Sequence, residues 1–145
     1  MRPYADASFI VSLCSTDVHT PMARKWLKTG DPVVRTSRLA LFEAENAIRV
    51  SRLKASLSEQ EEFKSLETIR RFTLEGFIEL WEVPVRRLYP AARRLSQFHT
   101  KKAGYGAMDI IHVASAQDMG ASVFLSFDQR QRQLASAEGM RVQPA

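Results

Sequence analysis

Four acidic side chains are the residues of this sequence whose types and surroundings best suit chemistry. Each lies where an apolar strand is expected to end, where a helix is expected to begin, or within a helix that runs through the core: Asp6, Glu43, Asp109 and Asp128. A carboxylate beside an apolar segment loses hydration, and that loss costs free energy unless a cation lies close by. Divalent cations such as Mg²⁺ bind carboxylate oxygens. The sequence therefore predicts that the four carboxylates form one metal site.

Each acidic residue also has a purely structural explanation. Asp6, Asp109 and Asp128 could each be an N-cap that accepts a hydrogen bond from the first turn of a helix. Glu43 taken alone is typical of an exposed helical position. Glu45 is a further candidate, but residues two apart point about 200° away from each other on an α-helix. Glu43 and Glu45 therefore cannot both face one site.

Several other residues with reactive or aromatic side chains are given structural interpretations. His112 lies one helical turn after Asp109 and shares its helix face. Because no second histidine lies nearby in the sequence, we expect His112 to be a buried, hydrogen-bonded packing residue and not a metal ligand. Cys14 is expected to be a small core residue, and Trp26 and Trp81 are expected to anchor the packing.

Alternating strands and helices position these side chains. Apolar runs bounded by turn residues predict a first strand that ends at 4–6 and further strands over 33–36, 77–83, 121–127 and 140–142. Periodicity and capping signals predict helices over 7–14, 19–28, 37–53, 58–76, 84–99, 105–117 and 129–137. A turn is predicted at Gly30-Asp31-Pro32. In the helix over 37–53, the core-facing stripe is predicted to include Leu39, Phe42, Ala47 and Val50.

Strands that alternate with helices require crossover connections, so the predicted fold class is α/β. We expect a mostly parallel central sheet of about five strands with helices on both faces, in one domain that spans 1–145. The functional crevice of such a sheet lies outside the carboxyl ends of its strands, where Asp6 and Asp128 fall. Asp109, near the start of its helix, is also favoured by the positive helix end.

The charge distribution favours a polyanionic partner. The net charge is +5 and the sequence pI is about 9.7. Residues 84–108 contain no acid, and six bases accumulate there: Arg86, Arg87, Arg93, Arg94, Lys101 and Lys102. This run is typical either of a solvated helix face or of a basic surface that leads into the acidic site. The single cysteine excludes an internal disulfide, no Cys/His spacing resembles a zinc site, and no signal peptide or membrane segment is predicted. We therefore expect a cytoplasmic protein.

The ordered motifs of the chain resemble the PIN-domain family and, within it, the VapC-like toxins of bacterial toxin-antitoxin systems. The matching segments span nearly the whole chain: YADAS, TSRLALFEAENAI, MDIIHVASA and LSFD. The resemblance implies a PIN-like fold and a metal-dependent endoribonuclease. It matches Asp6, Glu43, Asp109 and Asp128 to the family's four acids and selects Glu43 over Glu45. Two serines match hydroxyl positions that support the acids: Ser8 and Ser126.

The chemistry of the donor set and the resemblance together imply a mechanism. Carboxylate oxygens without thiolates or paired imidazoles select Mg²⁺ or Mn²⁺. Asp6 and Asp109 are expected to contact the ion, Glu43 to orient or deprotonate the attacking water, and Asp128 to hold a second ion or the first ion's water shell. The substrate is expected to be RNA, contacted by the basic side chains just before Asp109: Arg93, Arg94, Lys101 and Lys102.

The resemblance also implies protein partners. A cognate antitoxin would cover an apolar groove between the helix over 37–53 and the helix that begins at Ser58, and would place an Arg or Lys on the carboxylates. A homodimer through helical surfaces is expected as well. Three alternatives remain: a noncatalytic nucleic-acid-binding module, a PIN nuclease of RNA processing outside a toxin-antitoxin system, and a phosphoacceptor domain. The last fits poorly, because phosphatases of that kind need an Asp at the position of Ser8.

Overall fold

Five parallel strands form one central sheet in the computed structural model, which describes residues 2–30 and 32–145. The strand order is β3-β2-β1-β4-β5. The strands are β1 (Pro3–Ala5), β2 (Val34–Ser37), β3 (Ile78–Trp81), β4 (Val123–Leu125) and β5 (Arg141–Gln143). The predicted α/β class and the parallel sheet are confirmed. Asp31, the middle residue of the predicted turn, lies outside the described residues.

The helices alternate with the strands as predicted. They are α1 (Ala7–Cys14), α2 (Thr20–Thr29), α3 (Arg38–Leu53), α4 (Glu59–Leu74), α5 (Val85–Leu95), α6 (Lys101–Ala103), α7 (Ala107–Asp118) and α8 (Gln129–Ala137). A π-helical turn, Ser96–Thr100, joins α5 to α6. The predicted capping box opens α4, where Ser58 and Glu61 exchange hydrogen bonds with each other's backbone N–H. No helix within the described ranges is both long and apolar enough to cross a membrane.

Helices cover both faces of the sheet, as the alternation of side chains along the strands shows. In β1, Tyr4 belongs to the core cluster that includes Leu95, Val113 and Leu134, on the face covered by α5, α7 and α8. The next residue, Ala5, belongs to the cluster on the opposite face, with α1, α3 and α4. Parallel strands with two buried faces are mostly apolar, and β1 and β4 accordingly contain no charged residue. The chemically active side chains consequently lie beyond the strand ends.

The predicted core stripe of α3 is wrong. Phe42 is 62% exposed and Val50 is 38% exposed, and Leu39 and Ala47 are not buried either. The buried stripe has a different phase and contains two alanines: Ala40, Ala44 and Ile48. Small side chains allow α3 to pack close to α1, because the distance between helix axes depends on the side chains at the contact. Both stripes have helical spacing, so periodicity alone did not separate them.

Two predicted strands are longer than the observed ones. The strand predicted over 77–83 extends only over Ile78–Trp81, and the one predicted over 121–127 extends only over Val123–Leu125. Directly after β4, the Ser126 hydroxyl donates a hydrogen bond to Asp6 and accepts one from the Asp128 N–H. Cys14 is free and buried, as expected. Trp26 and Trp81 are partly buried against the core clusters, which confirms that they are packing residues.

Candidate active site

A cavity of about 510 Å³ lies at the carboxyl ends of the central strands. β1 and β4 are parallel neighbours, so the residues that follow them meet at the same edge of the sheet. Asp6 follows β1 directly, and Asp128 comes shortly after β4. Glu43 reaches the same cavity from α3. Three of the four predicted carboxylates therefore line one cavity.

Asp6 is held by three hydrogen bonds although its side chain is completely buried. Oδ1 accepts hydrogen bonds from the Ser8 hydroxyl at 2.7 Å and from the Phe9 N–H at 2.9 Å, and the latter bond makes Asp6 the N-cap of α1. Oδ2 accepts a bond of 2.6 Å from the Ser126 hydroxyl. The carboxylate is thus fixed in position before any ligand binds, with one lone pair of Oδ2 still available.

Burial raises the pKa of the Asp6 carboxyl above its ordinary value, although the hydrogen bonds from Ser126, Ser8 and Phe9 act in the opposite direction. Removal from water penalises the charged form more than these donors stabilise it. Within residues 2–30 and 32–145, no Lys or Arg side chain forms an ion pair with any of the four predicted acids. A cation in this cavity would supply the missing positive charge.

Ser8 and Ser126 connect the two loops that carry the acids. Each hydroxyl donates to Asp6, and each also accepts a backbone hydrogen bond of 2.9 Å: Ser8 from the Phe127 N–H, and Ser126 from the Asp128 N–H. Their oxygens lie 3.4 Å apart. The β1–α1 junction is therefore linked directly to the loop after β4. Both hydroxyls contact the Asp6 carboxylate, and the supporting role in the site that the resemblance implied for the two serines stays a prediction.

Asp128 is both a helix cap and a cavity residue. Its Oδ1 accepts hydrogen bonds from the N–H groups of Arg130 at 2.9 Å and Gln131 at 3.0 Å, which makes it the N-cap of α8. The carboxylate also lines the cavity beside Asp6 and Glu43. Because the cap occupies Oδ1, Oδ2 remains available for a ligand. The structural explanation and the ligand explanation of Asp128 are therefore compatible.

Glu43 is positioned by a buried chain of hydrogen bonds. Its Oε2 lies 2.8 Å from His112 Nε2, and His112 Nδ1 lies 2.9 Å from the Tyr4 hydroxyl. Since an ionised carboxylate only accepts hydrogen bonds, Nε2 must donate to Glu43. The Tyr4 hydroxyl lies 3.1 Å from Ser37 Oγ, which extends the chain to the start of α3. The prediction of a buried, hydrogen-bonded His112 is confirmed, but the sequence did not reveal that it holds Glu43.

Asp109, the fourth predicted acid, belongs to α7. It is partly buried in the first turn of α7, whose N-cap is Gly106, so Asp109 is not a cap. It precedes His112 by one turn and shares the helix face that reaches Glu43. Asp109 does not line the cavity of the other three acids. Within the described part of the chain, no three His, Cys, Asp or Glu residues form a ready-made metal cluster.

The donor set nevertheless fits a hard divalent ion. Asp6, Glu43 and Asp128 each keep a carboxylate oxygen, or one lone pair of it, that is not used by the hydrogen bonds described above. Mg²⁺ retains several water ligands and is usually bound by only one or two carboxylates, so close packing of all four acids is not required. Glu45 faces away from this set, into a groove between α3 and α4.

The predicted RNA-binding residues occupy two different surroundings. Arg94 donates to Glu138 at 3.1 Å, so its charge is already balanced. Lys101 and Lys102 are exposed on α6, and this helix is connected to α8 because the Arg130 guanidinium donates to the Ala103 carbonyl. Arg93 lines a separate cavity beside α7. The pair of lysines is therefore exposed on a short helix that is joined to the first turn of α8, the helix that Asp128 caps.

The residues that line the carboxylate cavity without having been predicted include Asp17, His19 and Phe127. Phe127 stands between Ser126 and Asp128 in the sequence, and its position between two predicted site residues could have identified it as a cavity residue. Asp17 and His19 lie in the loop between α1 and α2, and no sequence motif identified them.

Comparisons with known proteins agree with this architecture. The family model described as "PIN domain" matches residues 4–137. VapC20 of Mycobacterium tuberculosis, described as a sarcin-ricin loop cleaving toxin, has a similar fold, with a TM-score of 0.70, 19% identity and coverage of 98% of this chain and 99% of that chain. VapBC-1 of nontypeable Haemophilus influenzae is similar over 99% of this chain and 97% of that chain, with 16% identity and a TM-score of 0.66.

VapBC2 of Rickettsia felis, solved with a DNA fragment from its promoter, is similar over 99% of this chain and 98% of that chain, with 11% identity and a TM-score of 0.68. At these identities the structural likeness establishes the fold alone. No curated protein sequence matches the chain.

Proposed function

The chain belongs to the PIN domain family, and from that membership we propose that it is a VapC-like endoribonuclease toxin, dependent on Mg²⁺ or Mn²⁺ and neutralised in the cytoplasm by a cognate antitoxin. One observation carries the proposal: Asp6, Glu43 and Asp128 converge on one cavity at the carboxyl edge of the sheet, and no Lys or Arg of the described residues forms an ion pair with them. Such a cluster repels RNA phosphates unless a cation is bound.

Asp6 would be the central ligand of that cation. Its buried carboxylate is held by Ser8, Ser126 and the first turn of α1, so binding requires little rearrangement. Asp109 would complete the direct contacts from the start of α7, and Asp128 would hold the ion's water shell or a second ion. A bound divalent ion supplies positive charge to the phosphate oxygens and increases the acidity of the attacking water.

Glu43 would accept the proton of the attacking water. The hydrogen bond from His112 Nε2 fixes Oε2, so the other oxygen of Glu43 stays free to face the cavity. The fully buried Tyr4 and His112 hold this geometry, because neither side chain has room to change its rotamer. A general base must lie within hydrogen-bond reach of the proton that it removes, so such a fixed orientation favours catalysis.

RNA is the proposed substrate because exposed cations lie on a helix that is joined to the start of α8, the helix capped by Asp128. Lys101 and Lys102 lie on α6, which contacts the first turn of α8 through Arg130. A strand that reaches the carboxylates could place a neighbouring phosphate on these lysines. The sequence carries a net charge of +5, which further favours association with a polyanion.

The proposed antitoxin site is the groove between α3 and α4, where the sequence led us to expect it. This groove has a volume of about 350 Å³, and its wall is mostly apolar, with Leu41, Leu66, Ile69 and Leu74. An amphipathic antitoxin helix would suit this surface. A basic residue of the same partner would compete with the cation for the carboxylates. We propose a homodimer as well, through exposed apolar side chains on and near α5: Val85, Tyr89, Phe98 and Met108.

A growth assay tests the toxin proposal. Expression of the wild-type chain should arrest growth, and Asp109→Asn should relieve the arrest at equal protein level. Coexpression of the product of an adjoining gene should also restore growth and copurify with the chain. Growth arrest without any copurifying partner would instead favour a PIN nuclease outside a toxin-antitoxin system. RNA binding without cleavage would favour the noncatalytic module.

A further inference from the structure

A column of aromatic rings extends from the hydrophobic core to the carboxylate cavity. Trp26 packs edge-on against Phe9, with ring centroids 5.9 Å apart and an interplanar angle of 89°. Phe9 stacks on Phe127 at 5.8 Å and 12°. Phe127 in turn stacks on His19 at 4.3 Å and 6°. His19 is the outermost ring and is exposed in the cavity.

Hydrogen bonds hold the backbone at both outer rings of the column. The Phe127 N–H donates to Ser8 Oγ at 2.9 Å, which fixes Phe127 beside Asp6. The Asp17 carboxylate accepts bonds of 2.8 Å from the His19 N–H and from the Ser12 hydroxyl. These contacts tie the loop that carries His19 to the body of α1. The His19 imidazole therefore packs on Phe127, and the His19 backbone is held by the Asp17 carboxylate.

Packing on Phe127 accounts for one face of the His19 ring but not for its two nitrogens. The residue is at the N-cap position of α2, but its side chain makes no capping hydrogen bond. Within residues 2–30 and 32–145, His19 forms hydrogen bonds through its backbone, and its side chain forms neither a hydrogen bond nor an ion pair. Both ring nitrogens therefore remain open to a ligand. One face of the ring lies on Phe127. The other face is available inside a cavity that also contains Asp6, Glu43 and Asp128.

We propose that the open face of His19 is a stacking platform for the nucleobase next to the scissile phosphate, and that its ring nitrogens help to select that base. This inference rests on the proposed ribonuclease function and assigns a base-binding subsite to the same cavity. Every base has an aromatic face, so a rigid ring in a site that cleaves RNA gives affinity through stacking. The cavity volume, about 510 Å³, is within the range of pockets that bind small organic groups.

Two substitutions at His19 separate the effect of its aromatic face from the effect of its ring nitrogens. His19→Ala removes the platform, whereas His19→Phe keeps an aromatic face but removes both nitrogens. Phe63→Ala, which deletes an exposed aromatic ring on α4, is the matched control. Binding is measured by fluorescence anisotropy with short single-stranded homopolymers of A, C and U in Mg²⁺, in the background of the cleavage-deficient Glu43→Gln, which leaves the proposed central metal ligand Asp6 in place. Melting temperatures of all variants check that the fold is retained.

His19→Ala should weaken RNA binding about 5- to 150-fold, which is the range expected from the loss of one base stack. His19→Phe should keep most of the affinity but reduce the differences among the three homopolymers. Phe63→Ala should bind like its parent. In the wild-type background, His19→Ala should raise KM more than it lowers kcat.

Three results would overturn the inference. If the wild type cleaves RNA and His19→Ala binds and cleaves equally well, the platform does not exist but the ribonuclease proposal stands. If His19→Phe is as defective as His19→Ala and one limb of the pH–rate profile is lost, His19 transfers a proton and does not stack. If the wild type neither binds nor cleaves RNA, the proposed function itself fails.

Discussion

Replacement of Asp6 by Asn is expected to stabilise the metal-free protein while it abolishes activity. Asn caps a helix about as well as Asp, so the bond from the Phe9 N–H at 2.9 Å should persist. The Ser8 hydroxyl can still donate to the remaining oxygen. Ser126 would reverse its role and accept a bond from the new amide, because its oxygen has a second lone pair. No hydrogen-bond partner of Asp6 is left without a contact.

The change in the unfolding free energy is the difference between two opposing contributions: weaker hydrogen bonds and the avoided burial of a charge. A hydrogen bond to a charged group is stronger than one to a neutral group by about 1 kcal/mol, so the three bonds to Asp6 lose about 3 kcal/mol together. Burial of an unpaired ion costs several kcal/mol, and Asn avoids that cost. The net stabilisation is expected to be about 1–2 kcal/mol, which raises Tm by roughly 3–8 °C for a chain of this length.

Thermal melting in EDTA measures this effect, and its pH dependence has a defined sign. Because burial raises the pKa of Asp6 in the folded state, the native state holds this proton more tightly than the unfolded chain does. The contribution of the Asp6 proton to the stability of the wild type is therefore fully present below about pH 4. It is lost as the pH rises through the raised pKa of the folded state. The Tm gap between Asp6→Asn and wild type should widen over that interval. Mg²⁺ should close the gap by stabilising wild type alone.

Asp128→Asn is the matched control, since Asp128 is also an N-cap but is partly exposed. Its unfolding free energy in EDTA should change by no more than about 0.5 kcal/mol. A Tm of Asp6→Asn several degrees below that of wild type in EDTA would refute the reasoning. It would mean that the Asp6 carboxylate is a structural acceptor whose charge the three donors fully compensate.

Three further changes test other parts of the site and its surroundings. His112→Leu removes the hydrogen-bond donor of Glu43. It should lower the unfolding free energy, measured by chemical denaturation, by about 2–4 kcal/mol. It should also lower kcat about tenfold or more, with little change in KM. Lys101→Gln combined with Lys102→Gln should reduce the slope of log affinity against log salt for single-stranded RNA by about 1.4. Leu74→Glu, at an exposed groove position, should abolish antitoxin copurification while RNA cleavage persists.

Each of these predictions has an outcome that contradicts it. Unchanged kcat in a folded His112→Leu protein would mean that the orientation of Glu43 does not limit cleavage. For the lysine pair, Arg94→Gln is the control: since Glu138 already balances its charge, it should lower stability slightly and leave the salt slope unchanged. An unchanged slope in the double lysine variant would identify α6 as a merely solvated face. Retention of the antitoxin by Leu74→Glu would place its binding site elsewhere.

Local sequence rules predicted the residues that follow the strands. Asp6 and Asp128 each stand between an apolar strand and a helix, where an N-cap is needed, so both their position and their cap geometry could be inferred. The parallel sheet then required that both residues lie at one edge. The same reasoning predicted the capping box at the start of α4 and nearly every element boundary to within a few residues.

Long-range contacts were not predictable in this way. The bond between His112 and Glu43 joins residues 69 positions apart, and it depends on how α3 and α7 pack on the sheet. The stack of His19 on Phe127 likewise depends on a loop whose conformation no motif specifies. In α3, two apolar stripes competed, and the close packing against α1 selected the one with small side chains. Tertiary packing decided all three cases.

RNA cleavage by the purified chain, with and without a divalent ion, tests the central claim most directly. Metal-free wild type should leave single-stranded RNA intact in EDTA and should cleave it when Mg²⁺ or Mn²⁺ is added in excess. Asp6→Asn and Glu43→Gln should remain at least a hundredfold slower at saturating metal, in line with the loss of charge stabilisation and of a general base. Cleavage at full rate in EDTA, with the protein shown to be free of metal, would contradict the account.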